Sequence, residues 1–316
     1  MIHVKDVAFV RYQAPDLDAM EAFMKDFGLT TAQKTDDALY MKTLAGAPFA
    51  HVTHRGPSAS VGVGMFARSR ADLEAISKAT NIPVTEIDGP VAGQKVSLAE
   101  PSGYNIDIVH WEDHKPLKPD GPVARNTAYN RLRKGEFVRE GNVPAQPVRL
   151  GHVVLRCKDF DGSMAFFKDL LGMTPSDKFY DGEPDNVMAA FLRCGLGKEW
   201  TDHHTIVVAR ANDGISRIGH SAFEMIDIAD VMRSHNYLMS QSHKASWGVG
   251  RHIQGSQVFD YWRDPFGNQL EHWADGDLVN DDTPVGHAQA SPDQMYQWGP
   301  EPGSDFFEPG PAISEH

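Results

Sequence analysis

The sequence predicts an α+β protein built from two copies of one domain. Its 316 residues are enough for about two domains of ordinary size. Residues 6–29 (DVAFVRYQAPDLDAMEAFMKDFGL) and residues 150–173 (LGHVVLRCKDFDGSMAFFKDLLGM) share a strand-like pattern followed by a helix-like pattern. Both copies also end alike, in a Pro-x-Gly turn and an alternating run at 100–111 (EPSGYNIDIVHW) and 264–273 (DPFGNQLEHW). Two such long copies indicate a duplicated domain and not a solenoid.

The elements of the first copy follow in order. Residues 3–11 are rich in β-branched and apolar residues and predict a strand. Asp16 is placed to cap a helix whose apolar residues recur at spacings of three and four, and Gly28 is placed to end it. Further strands are expected near 38–43, 48–54, 60–67, 95–99 and 104–110, with a second helix from about Ser69. The first domain is therefore predicted over residues 1–111.

A connector is predicted over residues 112–148. Its first part (HKPLKPDGP) is rich in Pro and Lys, which is typical of a linker, and a helix is expected over 126–138. The second domain is predicted over 149–276, where the pattern of the first copy restarts.

The extension over 277–316 is rich in Asp, Pro and Gly, which favours a loop. It nevertheless carries large apolar side chains, namely Met295, Tyr296, Trp298, Phe306 and Phe307. We expect a strap that docks these side chains near the mouth of the second domain, on its own subunit or on a neighbour.

The composition excludes several classes of protein. A net charge of −13 disfavours a nucleic-acid or anionic-membrane partner, since no basic excess is available. No apolar run is long enough for a membrane span, and the N-terminus lacks the pattern of a signal peptide. The two cysteines, Cys157 and Cys194, form no CxxC pair. We therefore expect a cytoplasmic protein in which any metal is held by histidine and carboxylate.

The two copies differ at positions suited to chemistry. When the matching helices are aligned, His152 corresponds to Phe9 and His220 corresponds to Gly62. The polar candidates of the second copy are His152, His204, His220, His252, Tyr261 and Glu271. Shared ancestry explains the matching scaffold, and a site confined to the second copy explains these differences.

The stretch 251–273 combines three of the candidates in one predicted hairpin. The turn at 264–267 (DPFG) has Pro and Gly where a tight return requires them. Side chains alternate between faces along a strand, so Tyr261 and Glu271 can enter the same cup. In the aligned copy Glu271 corresponds to Asp107.

One histidine at the start of a strand usually lies at the surface or forms an ordinary hydrogen bond, so the argument depends on the joint pattern. Two His and one Glu from three strands could form a facial triad that binds a divalent metal on one side. The opposite positions of that metal stay open, as non-haem Fe(II) enzymes that bind substrate and O₂ require.

In these motifs the sequence resembles the type I extradiol ring-cleavage dioxygenases of the vicinal oxygen chelate superfamily. The resemblance covers about residues 3–275 and is strongest in GHVVLRCKDFDGSMAFFKDLLGM, DHHTIVVA, RIGHSAFEM, GRH and FDYWRDPFGNQLEHW. It implies two βαβββ modules in each domain, closing into a cup. It implies the metal ligands His152, His220 and Glu271, and the acid–base residues His204, His252 and Tyr261.

The activity implied by the resemblance is cleavage of a catechol-type aromatic ring by O₂ at a non-haem Fe(II) centre, with Mn(II) as the other candidate metal. A homo-oligomer is implied as well. Members of the family often carry an Asn-, Asp- and His-rich run after the GRH histidine, whereas this chain has IQGS at 253–256. That departure leaves the identity of the substituted catechol open.

Two alternatives remain within the superfamily. Metal-dependent isomerases of the glyoxalase and epimerase type use related cups, and ligand-sequestering members use the cup only for binding. Neither alternative requires the set of His204, His252 and Tyr261.

Overall fold

The computed structural model describes residues 3–111 and 124–314, and it contains two large mixed sheets. The first copy comprises β1 (Val4–Ala14), α1 (Leu17–Asp26), β2 (Thr30–Lys34), β3 (Ala38–Lys42), β4 (His51–Arg55), β5 (Ala59–Ala67), α2 (Arg70–Thr80), β6 (Thr85–Glu86), β7 (Gln94–Ala99) and β8 (Asn105–His110). The two predicted helices of this copy are confirmed. Asp16 caps α1 by accepting hydrogen bonds from the amides of Asp18 and Ala19.

The second copy repeats this order. It comprises β9 (Arg149–Cys157), α3 (Phe160–Ala165), β10 (Met173–Tyr180), β11 (Val187–Cys194), β12 (Thr201–Asp202), β13 (Ile206–Arg210), β14 (Arg217–Glu224), α4 (Ile228–Ser240), β15 (Lys244–Arg251), β16 (Val258–Arg263) and β17 (Gln269–Ala274). Helix α3 continues into a π-helical turn at Phe166–Leu170.

Each sheet is made of two βαβββ modules, which confirms the predicted fold class. The eight-stranded sheet has the order β2-β3-β4-β1-β5-β8-β7-β6. The second sheet has the order β15-β16-β17-β14-β9-β13-β11-β10, with one further strand at its end. In both sheets the first strands of the two modules pair antiparallel, and each first strand pairs in parallel with the last strand of its own module. The second sheet curls round a cavity of about 420 Å³.

The two copies share one apolar core and meet at the end of α1. The Phe27 ring stacks on the His272 ring with 3.7 Å between their centroids. His272 Nε2 donates a hydrogen bond of 2.8 Å to the Phe27 carbonyl, and burial lowers the pKa of His272 to about 3. His272 is therefore a neutral structural residue, which contacts the first copy while its neighbour Glu271 belongs to the site.

The connector differs from its prediction. Residues 124–148 contain an isolated bridge between Asn126 and Arg131, and the helix expected over 126–138 is wrong. The apolar side chains of this stretch are largely exposed, Leu132 by 61% and Phe137 by 79%. A helix there would have no apolar face to bury, and packing of such a face supplies most helical stability in proteins. Residues 112–123 of the predicted connector lie outside the described residues.

The extension packs on the second sheet as a strap, as the sequence predicts. It contains β18 (Leu278–Val279), β19 (Gly286–Gln289) and α5 (Ser304–Phe307). Strand β19 pairs in parallel with β10 and becomes the ninth strand of the sheet. Within residues 3–111 and 124–314, none of the helices has the length and apolar character needed to span a membrane.

Candidate metal centre

Three neighbouring strands bring His152, His220 and Glu271 together. His152 lies on β9, His220 on β14 and Glu271 on β17, and these strands are adjacent in the sheet. The Nε2 atoms of His152 and His220 lie 3.1 and 3.3 Å from Glu271 Oε2, and 3.3 Å from each other. Among the described residues they form a group of His and carboxylate side chains that could hold a metal ion.

The environment of Glu271 fits a divalent cation. The side chain is fully buried, yet within the described residues neither of its oxygens accepts a hydrogen bond that meets the geometric criteria for one. An ionised carboxylate buried without partners is costly, and a coordinated cation removes that cost. Burial raises the pKa of Glu271, but His152 and His220 outweigh burial and the net shift is downward. The carboxylate is therefore ionised, as a metal ligand must be.

The other three predicted residues surround the same space. His204 precedes β13, and its ring centroid lies 4.2 Å from that of His152. His252 follows β15, and its Nε2 lies 2.8 Å from the Tyr261 hydroxyl on β16. All of the predicted site residues except Glu271 line the 420 Å³ cavity, and Glu271 is buried next to two of the lining histidines.

Burial controls the ionisation of this second group. It lowers the pKa of His252, and it lowers the pKa of His204 well below its ordinary value. It also raises the pKa of Tyr261 well above its ordinary value, with a further contribution from Glu271. The imidazoles are therefore neutral at neutral pH and can accept a proton, while the phenol keeps its proton.

The tautomer of His252 is fixed by the extension. His252 Nδ1 lies 2.7 Å from the Met295 carbonyl oxygen, which can only accept a hydrogen bond. Nδ1 therefore carries the proton, and Nε2 accepts the hydrogen bond that the Tyr261 hydroxyl donates. The sequence places an apolar anchor at Met295 but gives no signal for a main-chain carbonyl bound to a site residue.

The remaining walls of the cavity are mainly apolar. Strands β10, β11 and β13 contribute Phe179, Ala189, Phe191, Val207 and Ala209. The extension contributes Ala290, Ser291, Pro292, Met295, Phe306 and Phe307. Sequence reasoning missed the strand residues, although their alternation along β11 and β13 is a usable signal.

The equivalent position in the first copy is occupied by protein. Asp107 pairs with Gly64 as Glu271 pairs with Ala222, so the predicted correspondence of the two acids is confirmed by the strand register. Asp107 accepts hydrogen bonds of 2.5 Å from Arg11 and 2.6 Å from Ser97. A Cβ on Gly64 would lie 2.4 Å from the Phe9 ring, so that ring fills the space next to the strand.

A family model matches the second copy. Residues 149–272 are similar to the Glyoxalase/Bleomycin resistance protein/Dioxygenase superfamily. The matched region holds all six predicted site residues.

Curated relatives extend the resemblance to most of the chain. "Metapyrocatechase 2" from Cupriavidus necator is 26% identical over 297 residues, covering 92% of this chain and 87% of the relative. "Iron-dependent extradiol dioxygenase" from Rhodococcus jostii is 23% identical over 300 residues, covering 89% of this chain and 92% of the relative. The resemblance to extradiol dioxygenases is thus confirmed by curated relatives, one of which bears that name.

Solved structures share the whole fold. A Mn(II)-bound glyoxalase from Novosphingobium aromaticivorans superposes with a TM-score of 0.77 at 23% identity, covering 99% of this chain and 97% of that one. The 2,3-dioxygenase LapB from Pseudomonas sp. KL28 superposes with a TM-score of 0.72 at 18% identity, covering 92% of this chain and 98% of that one. At these identities the likeness concerns the fold alone.

Proposed function

We propose that the protein is an extradiol dioxygenase that cleaves a catechol-type aromatic ring with O₂. The metal is held by His152, His220 and Glu271, and Fe(II) is the proposed ion. The same ligand types also suit Mn(II). The observation that carries the proposal is the convergence of these three ligand atoms beside a cavity lined by His204, His252 and Tyr261.

A bound divalent ion supplies a Lewis acid for the two catechol hydroxyls and open positions that bring substrate and O₂ side by side. The side chains of the cavity supply the proton chemistry. His252 Nε2 and the Tyr261 hydroxyl form a hydrogen-bonded pair that can receive a substrate hydroxyl and accept its proton. His204 lies beside His152, where its neutral imidazole can accept a proton and pass it to the oxygen-derived group.

The size and lining of the cavity limit which substituents the catechol ring can carry. A volume of about 420 Å³ is in the range of small-molecule sites, and aromatic side chains such as Phe179 and Phe191 provide apolar contact for a ring. Arg156 also lines the cavity. A substrate panel should therefore compare alkyl, aryl and carboxylated catechols.

The test is oxygen uptake after anaerobic loading with Fe(II). We expect uptake of one O₂ for each catechol consumed and a ring-opened semialdehyde product identified by its absorption spectrum and mass. Loading with Mn(II) in parallel compares the two metals. Metal-loaded protein that consumes no O₂ with any catechol of the panel contradicts the proposal, and turnover of a hemithioacetal without O₂ supports a glyoxalase-type isomerase in its place.

The family resemblance also leads us to propose a homo-oligomer. Light scattering coupled to gel filtration measures its mass directly, and a mass of one chain contradicts this part of the proposal.

A further inference from the structure

His204 is connected by hydrogen-bonding contacts to two further polar side chains, His203 and Asp177. His203 Nδ1 lies 3.1 Å from His204 Nδ1, and His203 Nε2 lies 2.7 Å from Asp177 Oδ2. His203 is 6% exposed and His204 is 4% exposed, so both rings are shielded from water. The proposed chemistry uses His204 but assigns nothing to His203 or Asp177.

The Asp177 carboxylate determines the direction of both hydrogen bonds in this series of side chains. The Asp177 carboxylate can only accept, so His203 Nε2 donates to it. When the His203 imidazole is neutral, its one ring proton is the one given to Asp177, and its Nδ1 is left as an acceptor. His204 Nδ1 must then donate a hydrogen bond to His203 Nδ1. The lone pair of the neutral His204 ring therefore lies on Nε2, which is free to interact with a molecule in the cavity.

Two glycines allow this arrangement. Gly255 has φ +73°, and a Cβ there would lie 3.1 Å from His203 Nδ1. Gly286 on β19 is paired with Asp177 on β10, and a Cβ there would lie 1.7 Å from Asp177 Oδ1. Gly255 belongs to the IQGS run in which the sequence departs from the family, so that run has a structural role next to the His203 ring.

We infer that Asp177 and His203 are positioning residues that hold His204 in the tautomer with the proton on Nδ1 and Nε2 presented to the cavity. The orientation of His204 is otherwise weakly determined, since its remaining ring neighbours include the edge-on Phe191 ring and His152. A hydrogen bond to one nitrogen of a histidine fixes which nitrogen is available for chemistry. The effect on turnover rests on the proposed function, whereas the tautomer does not.

The direct test is ¹⁵N NMR of histidine-labelled, metal-free protein at a pH where His204 is neutral. We expect the His204 signals of wild type to show a protonated Nδ1 and an unprotonated Nε2. His203→Phe removes the acceptor and should move these signals toward the other tautomer or a mixture. His203→Asn, whose amide oxygen can accept from His204 as Nδ1 does, should preserve them.

A second variant and a control keep the test decisive if His203→Phe does not fold. Asp177→Ala removes the carboxylate without adding bulk and should also broaden or shift the His204 signals. His51→Phe changes a buried histidine of the first copy and should leave them unchanged. Wild-type protein with the proton on His204 Nε2, or His204 signals unchanged in both His203→Phe and Asp177→Ala, overturns the inference.

The consequence for turnover is measured on the iron-loaded enzyme. We expect His203→Phe to lower kcat by about 10- to 100-fold, the range typical of lost support for a functional histidine. KM for the catechol and iron content should change less than about twofold, and His203→Asn should recover most of kcat. A kcat within about twofold of wild type in His203→Phe, despite a changed tautomer, contradicts the role in turnover. Inactive wild type contradicts the proposed function and leaves the NMR result standing.

Discussion

The difference between the two copies is set by single residues at equivalent positions. Asp107 and Glu271 occupy matching places on β8 and β17, and each is fully buried. Arg11 neutralises Asp107 in the first copy, whereas His152 and His220 approach Glu271 in the second. An arginine is a permanent cation that closes the site, whereas neutral imidazoles leave room for a metal ion.

The first prediction concerns a proposed ligand. His220→Ala removes one of three ligand atoms, so we expect metal affinity to fall at least about 100-fold, because even the loss of an outer-shell partner costs 10- to 100-fold. Iron content and oxygen uptake should be lost together, as measured on protein loaded in parallel with wild type. His54→Ala, in the first copy, is the control for removal of a histidine. A His220→Ala protein with wild-type iron content contradicts the ligand assignment.

The second prediction separates acid–base chemistry from metal binding. His204→Phe keeps a ring against Phe191 but removes both nitrogens. We expect normal iron content and normal catechol binding, with turnover reduced by about 10²- to 10⁴-fold, the usual contribution of a general acid or base. Stopped-flow binding under anaerobic conditions and steady-state oxygen uptake measure the two quantities. Turnover within about twofold of wild type assigns His204 no chemical role.

At the scale of elements, the extension is anchored at several points along the second sheet. The Trp247 indole donates a hydrogen bond of 2.8 Å to the Pro300 carbonyl, and Phe306 packs with its ring centroid 4.7 Å from that of Trp247. The last described residues reach the first copy, where the Ser60 amide donates to the Ala312 carbonyl at 2.9 Å. The strap therefore covers the cavity and joins the two copies.

The third prediction is removal of the strap by truncation after Asp275. The truncated protein loses part of the cavity wall and the carbonyl that fixes His252, so we expect lower thermal stability and lower kcat/KM for small catechols. The relative preference for bulky catechols should rise, because Met295 and Phe306 no longer limit the space. Phe306→Ala, which keeps the main-chain contacts, should change preference with less effect on kcat.

Gel filtration of both variants tests the alternative role of the strap. A truncated enzyme with unchanged mass, stability and substrate preference contradicts the prediction. A changed oligomeric state with unchanged preference assigns the strap to subunit contacts only.

Sequence patterns predict the features that depend on local periodicity. The capping of α1 by Asp16, the hairpin before Glu271 and the duplication are all of this kind. The pair of Asp177 and His203 is not, because it joins β10 to the segment before β13 across the curled sheet. The contact between His252 and the Met295 carbonyl could not be predicted either, because any residue type supplies a main-chain carbonyl. The helix wrongly predicted over 126–138 shows that a helix-like sequence pattern does not produce a helix when no neighbouring surface covers its apolar face.

At the scale of the whole molecule, Arg149 connects the two copies at the start of β9. Its guanidinium lies 3.1 Å from Asp6 of the first copy, and 2.7 and 2.6 Å from Asp202 and Glu224 of the second. One cation thus faces three carboxylates. Burial raises the pKa of Asp6 to about 7, against the opposing attraction of Arg149 and with a further upward contribution from Asp202.

The fourth prediction follows from the sign of that shift. The pKa of Asp6 is about 7 in the folded protein and about 3.8 in the unfolded chain, so the folded state binds more protons between these values. Its contribution to stability is fully present below about pH 4 and is lost as the pH rises through about 7. Water reaches 30% of the Asp6 side chain, so screening limits the change to about 1 kcal/mol.

Urea unfolding of metal-free wild type and Asp6→Asn at several pH values between 5 and 8 measures this contribution. Asparagine does not titrate, so the free energy of unfolding of wild type minus that of Asp6→Asn should fall by about 1 kcal/mol over this range. Asp18→Asn, an exposed aspartate of the same copy, controls for the general effect of removing a charge. A difference that stays constant or rises with pH shows that Arg149 holds Asp6 ionised, in which case this contact between the copies is an ordinary ion pair.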